Sequence, residues 1–163
     1  DKRPDVGFNG GFEAFENDLP VNWGVYSPNT VANAVFSIEA DQNLFVEGKQ
    51  SLMFNVTSCS EKGGWFSPGF FGEYPEWTAG DYDVSCFVLN KGSHFRLNAG
   101  GVNNHHGNIQ CLIDDTTYDQ SWRHCQYQVH VADGEHLRIE LNVLSTGVFR
   151  IDHISIEKVL KDR

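Results

Sequence analysis

The sequence is short of positive charge: 12 Lys and Arg stand against 22 Asp and Glu, a formal net charge of -10. A nucleic-acid binder neutralises phosphates with Lys and Arg, so this balance argues against that class and against polyanionic glycans. Long hydrophobic runs are also missing. None approaches the roughly 20 residues that cross a bilayer, and no membrane partner is expected. No stretch sustains helical spacing for three turns. The four cysteines, Cys59, Cys86, Cys111 and Cys125, form no CxxC pair, which removes the zinc-knuckle and thioredoxin-type readings. They permit two disulfides in any of three pairings, or buried free thiols at Cys86 and Cys125. Neither GxSxG nor HExxH occurs, so the common hydrolase signatures are absent. The opening Asp1-Lys2-Arg3-Pro4 is not a signal peptide, and any targeting segment is expected to be absent or already removed.

What is present is aromatic and turn-rich. The 163 residues fit one domain, 1–163, and include 12 Phe, 5 Tyr, 4 Trp and 16 Gly. A fold of this size rarely needs so many rings for its core alone, so some are expected on a surface. The dominant period is two, the repeat of a strand with one buried face. It runs through Ser51–Val56, Tyr82–Val88, His94–Ala99, Cys125–Val131, Leu137–Val143 and Val148–Ile156. Turn signals at Lys91-Gly92-Ser93, Gly100-Gly101, Asp133-Gly134-Glu135 and Ser145-Thr146-Gly147 separate these segments. Many short strands at such intervals predict an all-β fold, a β-sandwich jelly roll of two antiparallel sheets.

Alternation also sorts the faces. Leu137, Ile139, Leu141 and Val143 take the core side, which turns Arg138, Glu140 and Asn142 to the other face. Phe95, Leu97 and Ala99 go inward, while His94, Arg96 and Asn98 go outward. One sheet is therefore expected to carry a polar face able to hydrogen-bond sugar hydroxyls.

Three separated pieces stand out together: Asn9-Gly10-Gly11-Phe12-Glu13 with Leu19-Pro20-Val21-Asn22-Trp23, then Val46-Glu47-Gly48-Lys49-Gln50-Ser51-Leu52, then Phe149-Arg150-Ile151-Asp152-His153-Ile154-Ser155-Ile156-Glu157. In order and spacing this set resembles the carbohydrate-binding modules of families 4, 9, 16 and 22, which share a galactose-binding-like jelly roll. The resemblance implies a secreted, non-catalytic and monomeric module of a larger multidomain enzyme, binding a polysaccharide or oligosaccharide and keeping an attached glycoside hydrolase near its substrate. It also implies a structural calcium ion. Glu13 and Asp152 would give carboxylate oxygens to it, and Gly11, Glu47 and Gln50 mainly backbone carbonyls. The chemistry is suitable, because calcium takes 6–8 hard oxygen ligands.

Sugar binding asks for an aromatic face to stack on a ring and for polar groups to meet hydroxyls. Trp65, after Gly63-Gly64, falls where similar modules place a ring in the cleft, and it is the expected platform. Arg96, Gln110, Arg138, Glu140 and Asn142 are the expected polar contacts. Phe66 and Phe70 suit either surface or core, Trp77 is expected under a loop, and Trp122 in the core. The acidic, cleft-bearing reading favours a neutral, β-linked glycan. The catalytic alternative is a small sandwich lyase or hydrolase; a third reading is a lectin-like adhesion domain.

Overall fold

Alternating apolar residues close into two five-stranded antiparallel sheets, packed face to face, in a computed structural model that describes residues 2–160. The predicted domain, 1–163, thus extends past the described residues by residue 1 and residues 161–163. The back sheet runs β10 (Arg123–Val131), β7 (Gly80–Asn90), β12 (Gly147–Lys158), β5 (Ser51–Ser58), β4 (Val35–Asp41). The front sheet runs β3 (Gly24–Tyr26), β6 (Gly69–Tyr74), β11 (His136–Val143), β8 (Phe95–Val102), β9 (Gly107–Asp115). A small hairpin, β1 (Phe15–Glu16) with β2 (Leu19–Pro20), flanks them. The jelly-roll sandwich expected from the period-two pattern is the observed architecture.

The inward residues fill the space between the sheets. Phe54 and Phe149 from the back sheet meet Phe70 and Phe95 from the front, and all four are fully buried. Burying each such ring contributes about 1.5–3 kcal/mol. One end of the sandwich is closed by a second aromatic group, in which Phe8 and Phe12 pack on Trp23, and Phe8 on Tyr74 and Trp77. The Trp23 indole donates to Asn9 O at 3.0 Å, and the Asn9 amide donates to Ala14 O and Val21 O. The N-terminal motif is thereby folded onto the core.

Several local expectations are corrected. Gly100-Gly101 is not a turn; both residues lie inside β8, paired with β11 and β9. Trp122 is half-buried and stands outside the main core cluster. In β9 the register steps from Leu97↔Ile113 to Asn98↔Cys111, which leaves Leu112 as an extra residue. A bulge reverses the facing of everything beyond it. A second irregularity in β12, between Asp152 and Ser155 with His153 at φ 50°, leaves the Asp152 side chain buried.

Candidate functional site

The outer face of the front sheet is ruled by register, because residues directly opposite on paired strands point the same way. One row reads Phe71, Glu140, Asn98, Cys111; the next reads Glu73, Arg138, Gly100, Ile109; a third reads Gly69, Asn142, Arg96, Asp114. Arg138, Glu140, Arg96 and Asn142 are thus brought to one face, as their alternation requires.

Two ionic networks organise this face. Arg138 donates to Glu73 and Glu140, each at 3.0 Å, and its guanidinium lies 4.4 Å from the centre of the Phe71 ring. Tyr26 donates to Glu140, and His136 pairs with Glu73 at 2.7 Å. Burial, reinforced by the Glu140 carboxylate, pushes the Tyr26 hydroxyl well up from its usual range. The His136 hydrogen bond, followed by Arg138, holds the Glu73 carboxyl below the usual carboxylate range. On the other side of the face, Arg96 donates to Asp114 at 3.1 Å and His94 pairs with the same carboxylate, which lowers Asp114. Between the networks lies Asn98, whose Oδ1 is buried without a partner.

Trp65 stands at the edge of this face on a 3-10 turn, Gly64–Phe66. The turn starts with two residues in the left-handed region, Gly63 at φ 80° and Gly64 at φ 56°, where glycine carries no Cβ penalty. Asn142 fixes it from below. Gly64 N donates to Asn142 Oδ1 at 2.9 Å, while Asn142 Nδ2 donates to Gly64 O, Ser67 O and Pro68 O at 3.0–3.3 Å. The Ser67 hydroxyl bonds Ser60 O and receives Gly63 N, closing the loop. Above this base Trp65 is 70% exposed and Phe66 49%, whereas Phe70 is core. Trp77 packs on Tyr74, with ring centres 4.5 Å apart.

Two expected sugar contacts are placed otherwise. Asn142 is only 3% exposed with its amide committed to the loop, because the 63–68 segment folds over a position that alternation alone leaves open. Gln110 is exposed but pairs with Ala99, on the opposite side from Asn98 and Cys111, because it lies beyond the Leu112 bulge. Residues that alternation did not single out as ligand contacts also share the face: Phe71, Glu73 and Tyr26, which come from strands with no clean period-two signal.

The five residues expected around calcium do converge. From the point where a Gly11 β-carbon would stand, Glu47 Oε1 is 3.6 Å away, Glu13 Cγ 3.8 Å and Asp152 Oδ1 4.0 Å. Gln50 Nε2 donates to Phe12 O at 2.8 Å, tying the same segment to the loop before β5. Glu13 accepts from Lys49 N and Gln50 N; Asp152 accepts from Val46 N, Glu47 N and His153 N. Asp152 is fully buried, and among the described residues no Lys or Arg is hydrogen-bonded to it. Burial pushes its carboxyl up, and the nearby Glu13 charge adds to the shift. Asp152 is the buried member of the group; Glu13 and Glu47 are exposed, and Glu47 also pairs with His153 Nδ1 at 2.7 Å. Three carboxylates gathered about Gly11 suit a bound cation. Among the described residues, no three His, Cys, Asp or Glu side chains form a ready ligand set, so backbone and amide oxygens would have to complete it.

A separate concavity lies elsewhere among the described residues. It measures about 1050 Å³ and is lined by Glu13, Glu16, Asp18, Glu39, Phe15 and Phe36, beside the β1–β2 hairpin and β4. It is acidic and its rings Phe15 and Phe36 are half-buried, whereas the front face carries the exposed Trp65 ring and is the better candidate for stacking on a sugar.

Sandwiches of this form carry sugar-binding sites in solved proteins, and the architecture places this chain among folds of the carbohydrate-binding-module type. The CBM22-1 xylan-binding domain of Paenibacillus barcinonensis Xyn10C is similar over 94% of each chain, at 14% identity and TM-score 0.66. TmCBM61, solved in complex with β-1,4-galactotriose, matches over 93% of this chain and 97% of its own, at 16% identity and TM-score 0.66. The CBM22-1-GH10 modules of Clostridium thermocellum Xyn10B, complexed with xylohexaose, match over 84% of this chain, at 15% identity and TM-score 0.62; this chain spans 26% of that one. At these identities the likeness is one of fold. No protein-family model and no curated protein matches the sequence.

Proposed function

We propose that this chain is a non-catalytic carbohydrate-binding module that takes a neutral, β-linked polysaccharide along the outer face of its front sheet. The observation that carries this reading is the exposed Trp65 ring, held on a hydrogen-bonded turn beside a face of planar amide, guanidinium and carboxylate groups. A fixed ring stacks on a pyranose at little entropic cost, and the polar rows meet its hydroxyls. The cationic partners of Glu73 and Asp114 make these two carboxyls poor general acids. A glycosidase general acid needs a raised carboxyl, whereas Glu73 and Asp114 are both held low by their cationic partners. Structural neighbours that bind xylan and galactotriose support the same reading.

Two companion roles belong to this proposal. The module is exported and keeps an attached glycoside hydrolase at its substrate. A structural calcium ion is held by Glu13 and Asp152 carboxylates with Gly11, Glu47 and Gln50 oxygens, binding the N-terminal segment, the loop before β5 and β12 together. The test is a ladder of β-linked oligosaccharides titrated by calorimetry, with parallel assay for reducing ends. Affinity that rises with chain length to a plateau, with no new reducing ends, is expected. Preference for a terminal monosaccharide, or release of reducing ends, overturns the proposal.

A further inference from the structure

Two of the four cysteines are placed for a reaction that sugar binding does not use. Cys86 on β7 and Cys125 on β10 are direct antiparallel partners, pointing into the same core from neighbouring strands, and are 2% and 5% exposed. Directly opposed residues on paired strands have Cα atoms about 4.5–5.5 Å apart, within the span a disulfide bridges. The other two thiols have no such partner. Cys59 lies against Val143 O at the end of β11, and Cys111 sits on β9, two strands away across the front sheet. Cys59 follows β5, two strands from β7 in the back sheet, and Cys111 lies on the outer face of the front sheet, so neither is a register partner of Cys86 or Cys125.

We infer that Cys86 and Cys125 are a cross-strand dithiol that closes to a disulfide, pinning the edge strand β10 to β7, while Cys59 and Cys111 remain unpaired. The co-reactant is a small-molecule disulfide such as oxidised glutathione. The Cys125 thiolate attacks one of its sulfurs and expels a thiol, giving a mixed disulfide on Cys125. The Cys86 thiolate then attacks Cys125 Sγ and expels the second thiol. The pair loses two electrons and two protons, and the glutathione disulfide gains them as two thiols. The chemistry of the site runs in this direction: the hydrogen bond from Cys86, with Arg123 behind it, lowers the Cys125 thiol, and the same contact with burial raises Cys86. A lowered thiol is the better first attacker.

Position in the sheet gives the bond its consequence. β10 is an edge strand, hydrogen-bonded on one side only, and edge strands open and mispair more readily than central ones. A bridge from β10 to the next strand holds that edge through a covalent link that closes a long loop, residues 86–125.

The experiment refolds the whole chain from denaturant in a glutathione redox buffer, so that burial does not limit access. The products are read by intact mass, peptide mapping and thermal melting. A product about 2 Da lighter, with Cys86 linked to Cys125, is expected, and its Tm should stand about 10 °C above that of the reduced form. A Cys59→Ser, Cys111→Ser double variant should form the same link, and a Cys86→Ala, Cys125→Ala variant should show no Tm difference between oxidising and reducing buffer. Recovery of Cys86 and Cys125 as free thiols after oxidative refolding, or a link from either to Cys59 or Cys111, overturns the inference.

Discussion

Asn142 is the residue on which the position of Trp65 depends, and replacing it separates a loop anchor from a sugar contact. In Asn142→Ala, Gly64 N loses its acceptor, and Gly64 O, Ser67 O and Pro68 O lose a shared donor. An amide carries only two N–H bonds, so three hydrogen bonds act at once. Each is worth about 1 kcal/mol net, and groups left buried and unpaired cost more, giving a loss of about 2–4 kcal/mol. For a chain of this size that lowers Tm by roughly 10 °C. Asn142→Asp keeps the acceptor for Gly64 N but turns a carboxylate oxygen toward the carbonyls that Nδ2 now serves. It should be at least as destabilised at neutral pH and should recover stability in acid, as the new carboxyl regains a proton. The assays are urea unfolding and oligosaccharide calorimetry on both variants. Expected is a parallel fall in stability and in affinity. An Asn142→Ala protein with unchanged stability and lost affinity would refute the anchor role and make Asn142 a direct sugar contact.

Removing divalent ions with a chelator should lower Tm without abolishing oligosaccharide binding, because the Glu13–Asp152 cluster stitches loops together and contributes nothing to the front face; a Tm unmoved by chelation and by added calcium refutes the ion. Gly48 has φ 72°, and a β-carbon there would collide with the Glu13 carboxylate. Gly48→Ala is expected to cost about 1–2 kcal/mol and to erase the calcium-dependent part of Tm in melts with and without the ion. Glu73 has its carboxyl lowered in the folded state. Its contribution is therefore fully present above the unfolded carboxylate pKa and is lost as pH falls through the lower folded value. Urea midpoints of wild type and Glu73→Gln should converge toward acid, and parallel pH profiles would contradict the Glu73–Arg138–His136 network.

Strand periodicity was legible where one face is buried and the other is simply solvated. β5, β7, β8, β10, β11 and β12 each read as alternation, and with them the facing of Arg138, Glu140 and Arg96. β6 was not readable that way, since Gly69-Phe70-Phe71-Gly72 presents glycines and aromatics on both faces. In β9 the Leu112 bulge is a tertiary pairing event that no local pattern records, so the facing of Gln110, opposite Ala99, was not legible in the sequence. Asn142 has the outward phase of its strand, yet a loop 75 residues away in sequence covers it. The carboxylate cluster around Gly11 was expected only through the family resemblance that three spaced motifs carry, because its members meet through chain crossings that no local pattern records.

The claim that this face binds a glycan rests most directly on one ring. Trp65 is 70% exposed, so Trp65→Ala removes a stacking surface and leaves the core untouched. Calorimetry with a β-linked hexasaccharide that wild type binds, beside thermal melts of both proteins, is the decisive measurement. Loss of a sugar-stacking indole is expected to weaken affinity by about tenfold or more, with Tm unchanged. Equal affinity in the two proteins would contradict the assignment of Trp65 and, with it, of the front sheet as the binding face.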